Sequence, residues 1–219
     1  MTKHQKRLSA PKHYPISRKD NTYVSTIKGS RSFENAIPTV LLLRDVLEYA
    51  DNEKEAKKIV RDGKVYRNGD RIRDVKEGVG LLDVVTIPET EEAFRAVRRG
   101  KYLEFVEIED EERVAAKVVD KSVEGDEYVY RLHNGENYAT GDEFSTGSTL
   151  VFNGGVEELE LEEGATVLVV DGQHAGETAE LEEINERGMN KNTGLVSTEE
   201  NSFETQLENL VAVGDLEVE

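Results

Sequence analysis

Apolar residues near the start of this chain recur at helical spacing, and further along they alternate as strands do. Leu43, Val46, Leu47 and Ala50 fall at i, i+3, i+4 and i+7, which gives one apolar helix face. Ala56, Ile59 and Val60 make the apolar side of a second short helix. Asn52 followed by Glu55 is a capping-box start for that helix, and Gly63 a C-terminal stop. Pro38 with Thr39 marks the start of the first. Next comes Val65-Tyr66-Arg67-Asn68-Gly69-Asp70-Arg71-Ile72. Asn68-Gly69 between strand-like runs predicts a hairpin with a type I′ turn, because that turn needs positive φ at both central residues. The apolar run Gly80–Ile87 then predicts a buried strand.

Residues 91–101, with Arg95, Arg98 and Arg99 at i, i+3 and i+4, predict a short helix ending at Gly100. From Tyr102 the pattern is β. Tyr102–Ile108, Ala115–Val119, Tyr128–His133 and Thr149–Phe152 are short runs parted by Gly125, Asn134-Gly135 and Gly147. Such spacing predicts a barrel or small sandwich. In 164–184, Val167 and Val169 alternate as a strand, Gly172 and Gly176 bound a loop, and a second strand follows. The first 31 residues lack apolar periodicity and contain Pro11 and Pro15, so an extended tail that orders on a partner is expected.

Charge changes this picture. The 219-residue chain carries a net −18, which by itself argues against a polyanion partner. Residues 1–31, however, hold 8 Lys/Arg and 1 acid. Residues 32–101 hold 14 of each. Residues 102–219 hold 6 Lys/Arg against 31 acids, a net of −25. One end is built to meet a polyanion and the other to avoid it. Lys54, Lys57, Lys58 and Arg61 share a helix face roughly opposite Ala56, Ile59 and Val60, and the hairpin adds Lys64, Arg67, Arg71 and Arg73 nearby. The plainer alternative is a solvated face held by Glu53–Lys57 support. The candidate RNA contacts are therefore Lys3, Lys6, Arg7, Lys12, His13, Tyr14, Arg18 and Lys19 in the tail. Lys54, Lys57, Lys58, Arg61, Lys64 and Arg67 follow, then Arg95, Arg98 and Arg99. Cations neutralise phosphate and position the RNA, while Tyr14 or His13 would stack on a base.

The chain has no Cys and no Trp, which excludes disulfides and cysteine-based metal sites. Its four histidines are scattered, and its 46 acids form no recognisable catalytic pair, so no enzyme, metal or cofactor is expected. No apolar run reaches a membrane span and no signal core precedes the basic start, so neither a membrane nor a small-molecule substrate is expected, and the cytoplasm is the expected compartment.

Six strings carry a family resemblance. EAKKIVRDGKVYRNGDRIRD with GLLDVVTI resembles the small RNA-binding domain shared by ribosomal proteins, pseudouridine synthases and some tRNA synthetases. KRLSAPKHYPI and YRLHNGENYAT resemble the start and centre of the archaeal and eukaryotic small-subunit ribosomal protein S4e family. GATVLVVDGQHAGETAELEEI resembles the KOW strand–loop–strand unit of SH3-like barrels, and NSFETQLENLVAVG the closing strands of that barrel. It departs from the KOW pattern at Ala179, where a third Gly is usual, and at Gln173, His174 and Glu177, where basic residues are usual. The resemblance implies an α+β multidomain protein. Its parts would be a tail and lead-in (1–38), an RNA-binding domain (39–90), a linker helix with a central β domain (91–155) and a KOW SH3-like barrel (156–219). It implies a structural constituent of the small ribosomal subunit, with rRNA and neighbouring ribosomal proteins as partners. The alternative is an assembly, transcription or RNA-modification accessory factor built from the same modules. The acidity of 102–219 further predicts a halophilic archaeal source, since molar salt cuts the Debye length to about 3 Å and screens self-repulsion.

Overall fold

The computed structural model describes residues 4–125, 127–188, 190–198 and 200–218. The chain divides into two compact units, one of residues 1–96 with 101–111, the other of 97–100 with 112–219.

In the first unit, β1 (Gln5–Lys6) pairs antiparallel with β2 (Tyr23–Val24), and β3 (Ala36–Pro38) leads into α1 (Thr39–Leu41). A wider turn over Leu42–Val46 extends α1, with Leu47 N–H donating to Leu42 O across five residues at 2.8 Å. The second helix, α2 (Glu53–Arg61), starts where the sequence says it should. The Asn52 carboxamide oxygen accepts from Lys54 N (3.0 Å) and Glu55 N (3.1 Å), and Glu55 reaches back to Asp51 N (2.8 Å), satisfying otherwise orphaned donors. Its chain end turns through Gly63 at φ +76°.

The hairpin of β4 (Tyr66–Arg67) and β5 (Asp70–Arg71) closes through Asn68 at φ 51° and Gly69 at φ 82°, the type I′ geometry expected of that dipeptide. A two-stranded ladder joins β3 to β6 (Gly78–Gly80). A five-stranded sheet runs in the order β5-β4-β7-β8-β9, with β7 (Val84–Ile87), β8 (Glu92–Arg99, its residues from Val97 on counted with the second unit) and β9 (Tyr102–Ile108). The core under it gathers Ile37, Leu41, Leu42, Leu43, Ala56, Val60, Val65, Ile72, Val85 and Leu103.

In the second unit, a sheet ordered β12-β11-β10-β13-β14 contains β10 (Val114–Glu124), β11 (Glu127–Leu132), β12 (Asn137–Thr140), β13 (Thr149–Phe152) and β14 (Val156–Leu159). Ala116, Val118, Tyr130, Leu132 and Leu150 form its core. The last sheet is ordered β18-β17-β16-β15-β19. Its strands are β15 (Thr166–Val169), β16 (Thr178–Asn185), β17 (Thr193–Ser197), β18 (Ser202–Gln206) and β19 (Leu210–Ala212). Val167, Val169, Leu181, Val196 and Leu210 form its core.

Three expectations are corrected. The helix expected over 91–101 is the strand β8, whose register against β7 pairs Val84 with Arg95 and Thr86 with Ala93. Sheet pairing overrides the helical spacing of the arginines, and Gly100, at φ 55°, makes a turn into β9 rather than a helix stop. Accordingly β9 joins the first unit's sheet, not the central β domain. The boundary placed at 155/156 falls inside the β13–β14 hairpin, where Phe152 faces Val156. The tail, finally, is folded: Ala10, Tyr14 and Val24 lie in the same core as the two helices. Beyond one 3₁₀ turn at Arg7–Ser9 and the short β1–β2 ladder, its proline-bearing stretch is irregular, and two arginines take up its carbonyls. Arg18 donates to the carbonyls of Leu8 (3.4 Å), Ala10 (2.8 Å) and Pro11 (2.8 Å), and Arg7 donates to that of Ser17.

Candidate RNA interface

The helix α2 has two faces. Ala56 and Val60 are buried, while Lys54, Lys57, Lys58 and Arg61 all point to solvent. Lys57 Nζ lies 2.6 Å from Glu53, and that hydrogen bond holds the Glu53 carboxyl below its usual range. Arg61 lies 3.7 Å from its neighbour Asp62. Lys54 and Lys58 have no ion-pair partner among the described residues. Beside this face the Arg71 guanidinium donates to the Arg61 carbonyl at 2.7 Å, filling the space over Gly63 where a Cβ would meet it at 2.7 Å. A concavity between helix and hairpin is lined by Lys57, Arg61, Arg71, Arg73 and one acid, Asp74, over Val60 and Val75. Such a surface suits a phosphodiester backbone: cations at the rim, apolar contact for sugar at the floor.

The other sequence candidates separate into those left in solvent and those turned inward. Lys6, Lys12 and Lys19 are exposed, and Lys3 lies outside the described residues. Arg7 is buried, donating to Ser17 O and lying 3.5 Å from Asp45. His13 is buried, with Nε2 2.9 Å from Ala36 O. Tyr14 is 1% exposed, and burial pushes its hydroxyl's pKa strongly upward. Arg18 spends its donors on carbonyls of its own segment. None of these four side chains is presented for stacking or phosphate contact, because the tail folds around them. Lys64 is held by Glu89 at 2.6 Å, and Arg67 donates to Gly78 O at 2.6 Å with its side chain 15% exposed. Arg95 is buried; Arg98 lies 3.8 Å from Asp171, and Arg99 is exposed. In a strand Arg95 and Arg99 share one side and Arg98 the other, so the three make no single clamp.

One buried ionic network escaped the sequence reading. Arg31 Nε and Nη2 grip the two Asp83 oxygens at 2.8 and 2.7 Å, with side-chain exposures of 2% and 1%. Asp83 also accepts from Asn68 Nδ2 and Gly80 N, both at 2.7 Å, and the Asn68 oxygen accepts from Val84 N at 2.8 Å. The signal was present. Asp83 is a lone acid inside the apolar run GLLDVVTI, and a buried acid demands a partner.

In the second unit the loop between β15 and β16 turns through Gly172 (φ 98°) and Gly176 (φ 97°). Ala179 lies past the loop, paired with Val167 inside β16 and buried in the core. The His174 ring stacks on Phe203 (3.8 Å, 16°) and its Nδ1 is 3.1 Å from the Glu177 carboxylate. The carboxylate makes this loop a poor phosphate cradle.

A small α/β module with a cationic helix face, followed by antiparallel β sheets, defines the class of modular RNA-binding proteins to which ribosomal proteins belong. Residues 1–28 match the RS4NT (NUC023) domain. The chain is 36% identical to small ribosomal subunit protein eS4 of Halobacterium salinarum, covering 100% of this chain and 98% of that one. It is 36% identical to eS4 of Haloarcula marismortui over 98% and 97%, and 34% identical to that of Methanothermobacter thermautotrophicus over 90% and 85%. The chain belongs to the eS4 family of small ribosomal subunit proteins. Its fold matches the crystal structure of the 30S ribosomal protein S4e from Thermoplasma acidophilum with a TM-score of 0.70 at 24% identity, over 82% of this chain and 95% of that one.

Proposed function

We propose that this protein is a structural constituent of the small ribosomal subunit in the cytoplasm, contacting rRNA and neighbouring ribosomal proteins. The full-length identity to archaeal eS4 carries this reading. The rRNA-facing surface consists of Lys6, Lys12 and Lys19 in the N-terminal segment and Lys54, Lys57, Lys58 and Arg61 on α2. Their role is phosphate neutralisation and positioning rather than base reading. Lys64, just past the end of α2, lies at the margin of that surface. Residues 39–90 act as the RNA-binding domain, and the last sheet is the KOW-type SH3-like barrel. The family is a structural one, and no catalytic role is assigned.

The source is a halophilic archaeon. A net −25 over residues 102–219 suits a protein that works where self-repulsion is screened. Counterion release weakens as salt rises, so binding leans on shape and on fixed cation geometry.

The test is quantitative mass spectrometry of sucrose-gradient fractions in high salt and magnesium. One copy per small subunit, kept in translating ribosomes, is expected. Sub-stoichiometric presence confined to precursors would make the protein an accessory factor instead.

A further inference from the structure

With His13 and Tyr14 buried, the N-terminal segment still presents aromatic surface, at positions the sequence did not single out. Tyr23 is 59% exposed and Phe33 44% exposed, beside a core that takes Tyr14 in almost completely. Both rings line a concavity of about 660 Å³, together with Lys6, His4 and Thr26. The rings are held in place. Tyr23 lies on β2 directly opposite Lys6 on β1, and cross-strand neighbours share a face. His4 packs at 5.6 Å from the Tyr23 ring, and Phe33 rests edge-on against Tyr14 at 6.4 Å. Lys6 has no ion-pair partner among the described residues.

An aromatic face beside an exposed cation, in a segment with 8 Lys/Arg and 1 acid, has the chemistry of a nucleotide site. A ring offers its face to any base, and an ammonium beside it meets the phosphate. We propose that Tyr23, Phe33 and Lys6 bind one unpaired nucleotide of RNA. The base stacks in the concavity that Tyr23 and Phe33 wall, and the phosphate sits on Lys6. Thr26 offers a hydroxyl to the ribose 2′-OH, the group that separates RNA from DNA. This assignment rests on the rRNA-binding reading above and adds a base contact to a surface otherwise read as phosphate-positioning.

The test uses the full chain in molar KCl. Because the protein has no Trp, Tyr23→Trp installs a single indole reporter. Small-subunit rRNA should quench its fluorescence, and a single-stranded oligoribonucleotide should do so more strongly than its DNA counterpart. Alanine at Tyr23 or Phe33 should each weaken rRNA binding by roughly tenfold, while Tyr23→Phe, which keeps the ring, stays near native. The log–log salt slope should be unchanged by the ring variants and should fall by roughly 0.7 for Lys6→Gln. If the double alanine variant binds rRNA as the native chain does and the indole signal is unmoved, the nucleotide site is overturned while the rRNA-binding reading stands. If the native chain does not bind rRNA at all, both fall. A change in the indole's environment produced by neighbouring ribosomal proteins but not by RNA would give the patch to a protein partner and overturn the assignment. Should an alanine variant misfold, the indole quench and the Tyr23→Phe affinity still decide.

Discussion

Replacing Arg31 by alanine removes one half of the buried pair that ties the N-terminal segment to the residue before β7. Arg31 donates twice to Asp83, and both side chains are all but inaccessible. Breaking a buried ion pair by removing one partner costs about 3–5 kcal/mol, because the survivor is left charged and dry. Asp83 keeps two neutral donors, Asn68 Nδ2 and Gly80 N, which soften that cost. The expected loss is therefore near the lower bound, about 3 kcal/mol. That lowers the melting temperature by roughly 6–12 °C if the chain melts as one, and by about twice that if the first unit melts alone. Thermal unfolding followed by circular dichroism measures it, and a double-mutant cycle with Asp83→Ala isolates the pairwise coupling. Burial shields the pair from counterions, so the loss should be similar in low and molar salt wherever the native chain is folded. A melting temperature unchanged by Arg31→Ala would show that the buried pair contributes nothing to stability. A loss seen only at low salt would show that the pair behaves as a surface contact.

Other outcomes follow from the same geometry. Lys57→Glu with Arg61→Glu should leave the fold intact and weaken rRNA binding, with the log–log salt slope reduced by roughly 1.5; unchanged affinity in filter binding removes α2 from the interface. Gly176→Ala should cost roughly 2–4 kcal/mol, because φ is positive there and a Cβ would meet the Arg98 carbonyl oxygen at 2.5 Å. Gly172→Ala, with open space and a similar φ, should cost only about 1–2 kcal/mol, and equal losses in denaturant titrations would discount the Arg98 contact. Lys117 lies buried with its ammonium donating to the carbonyls of Leu207, Glu208 and Leu210, and burial pushes its pKa down to about 8. The native state then sheds this proton before the unfolded state does, so the penalty is full below about pH 8 and eases as pH rises from there toward 10.5. The stability of the native chain relative to Lys117→Met should rise by up to roughly 3 kcal/mol across that window; a flat difference would refute the buried ammonium. Finally, the isolated protein should be folded and soluble in molar KCl and lose structure in dilute buffer, and equal folding in both would count against a halophilic source.

Much was legible locally. The Asn52 cap, the Asn68-Gly69 turn, the Gly172 and Gly176 loop and the alternation of Val167 and Val169 are settled within a few residues of chain. Capping and positive φ are short-range demands that one residue type meets and another does not. The charge division and the cationic face of α2 were equally readable, since a helix's period fixes which residues share a face. Where the reading failed, the deciding partner was far away in sequence. Arg95, Arg98 and Arg99 fit a helix until β7 offers a ladder. Arg7, His13, Tyr14 and Arg18 looked like a polyanion-binding tail until a core appeared for them to fold against. Asp83, a lone acid in an apolar run, announces the need for a partner, but Arg31 stands 52 residues away and nothing local names it. Turns, caps, family and the sign of charge along the chain follow from residue order alone. Which cations remain in solvent and which are consumed as internal donors is set by packing, because burial depends on what lies above a residue and not on its neighbours in the chain.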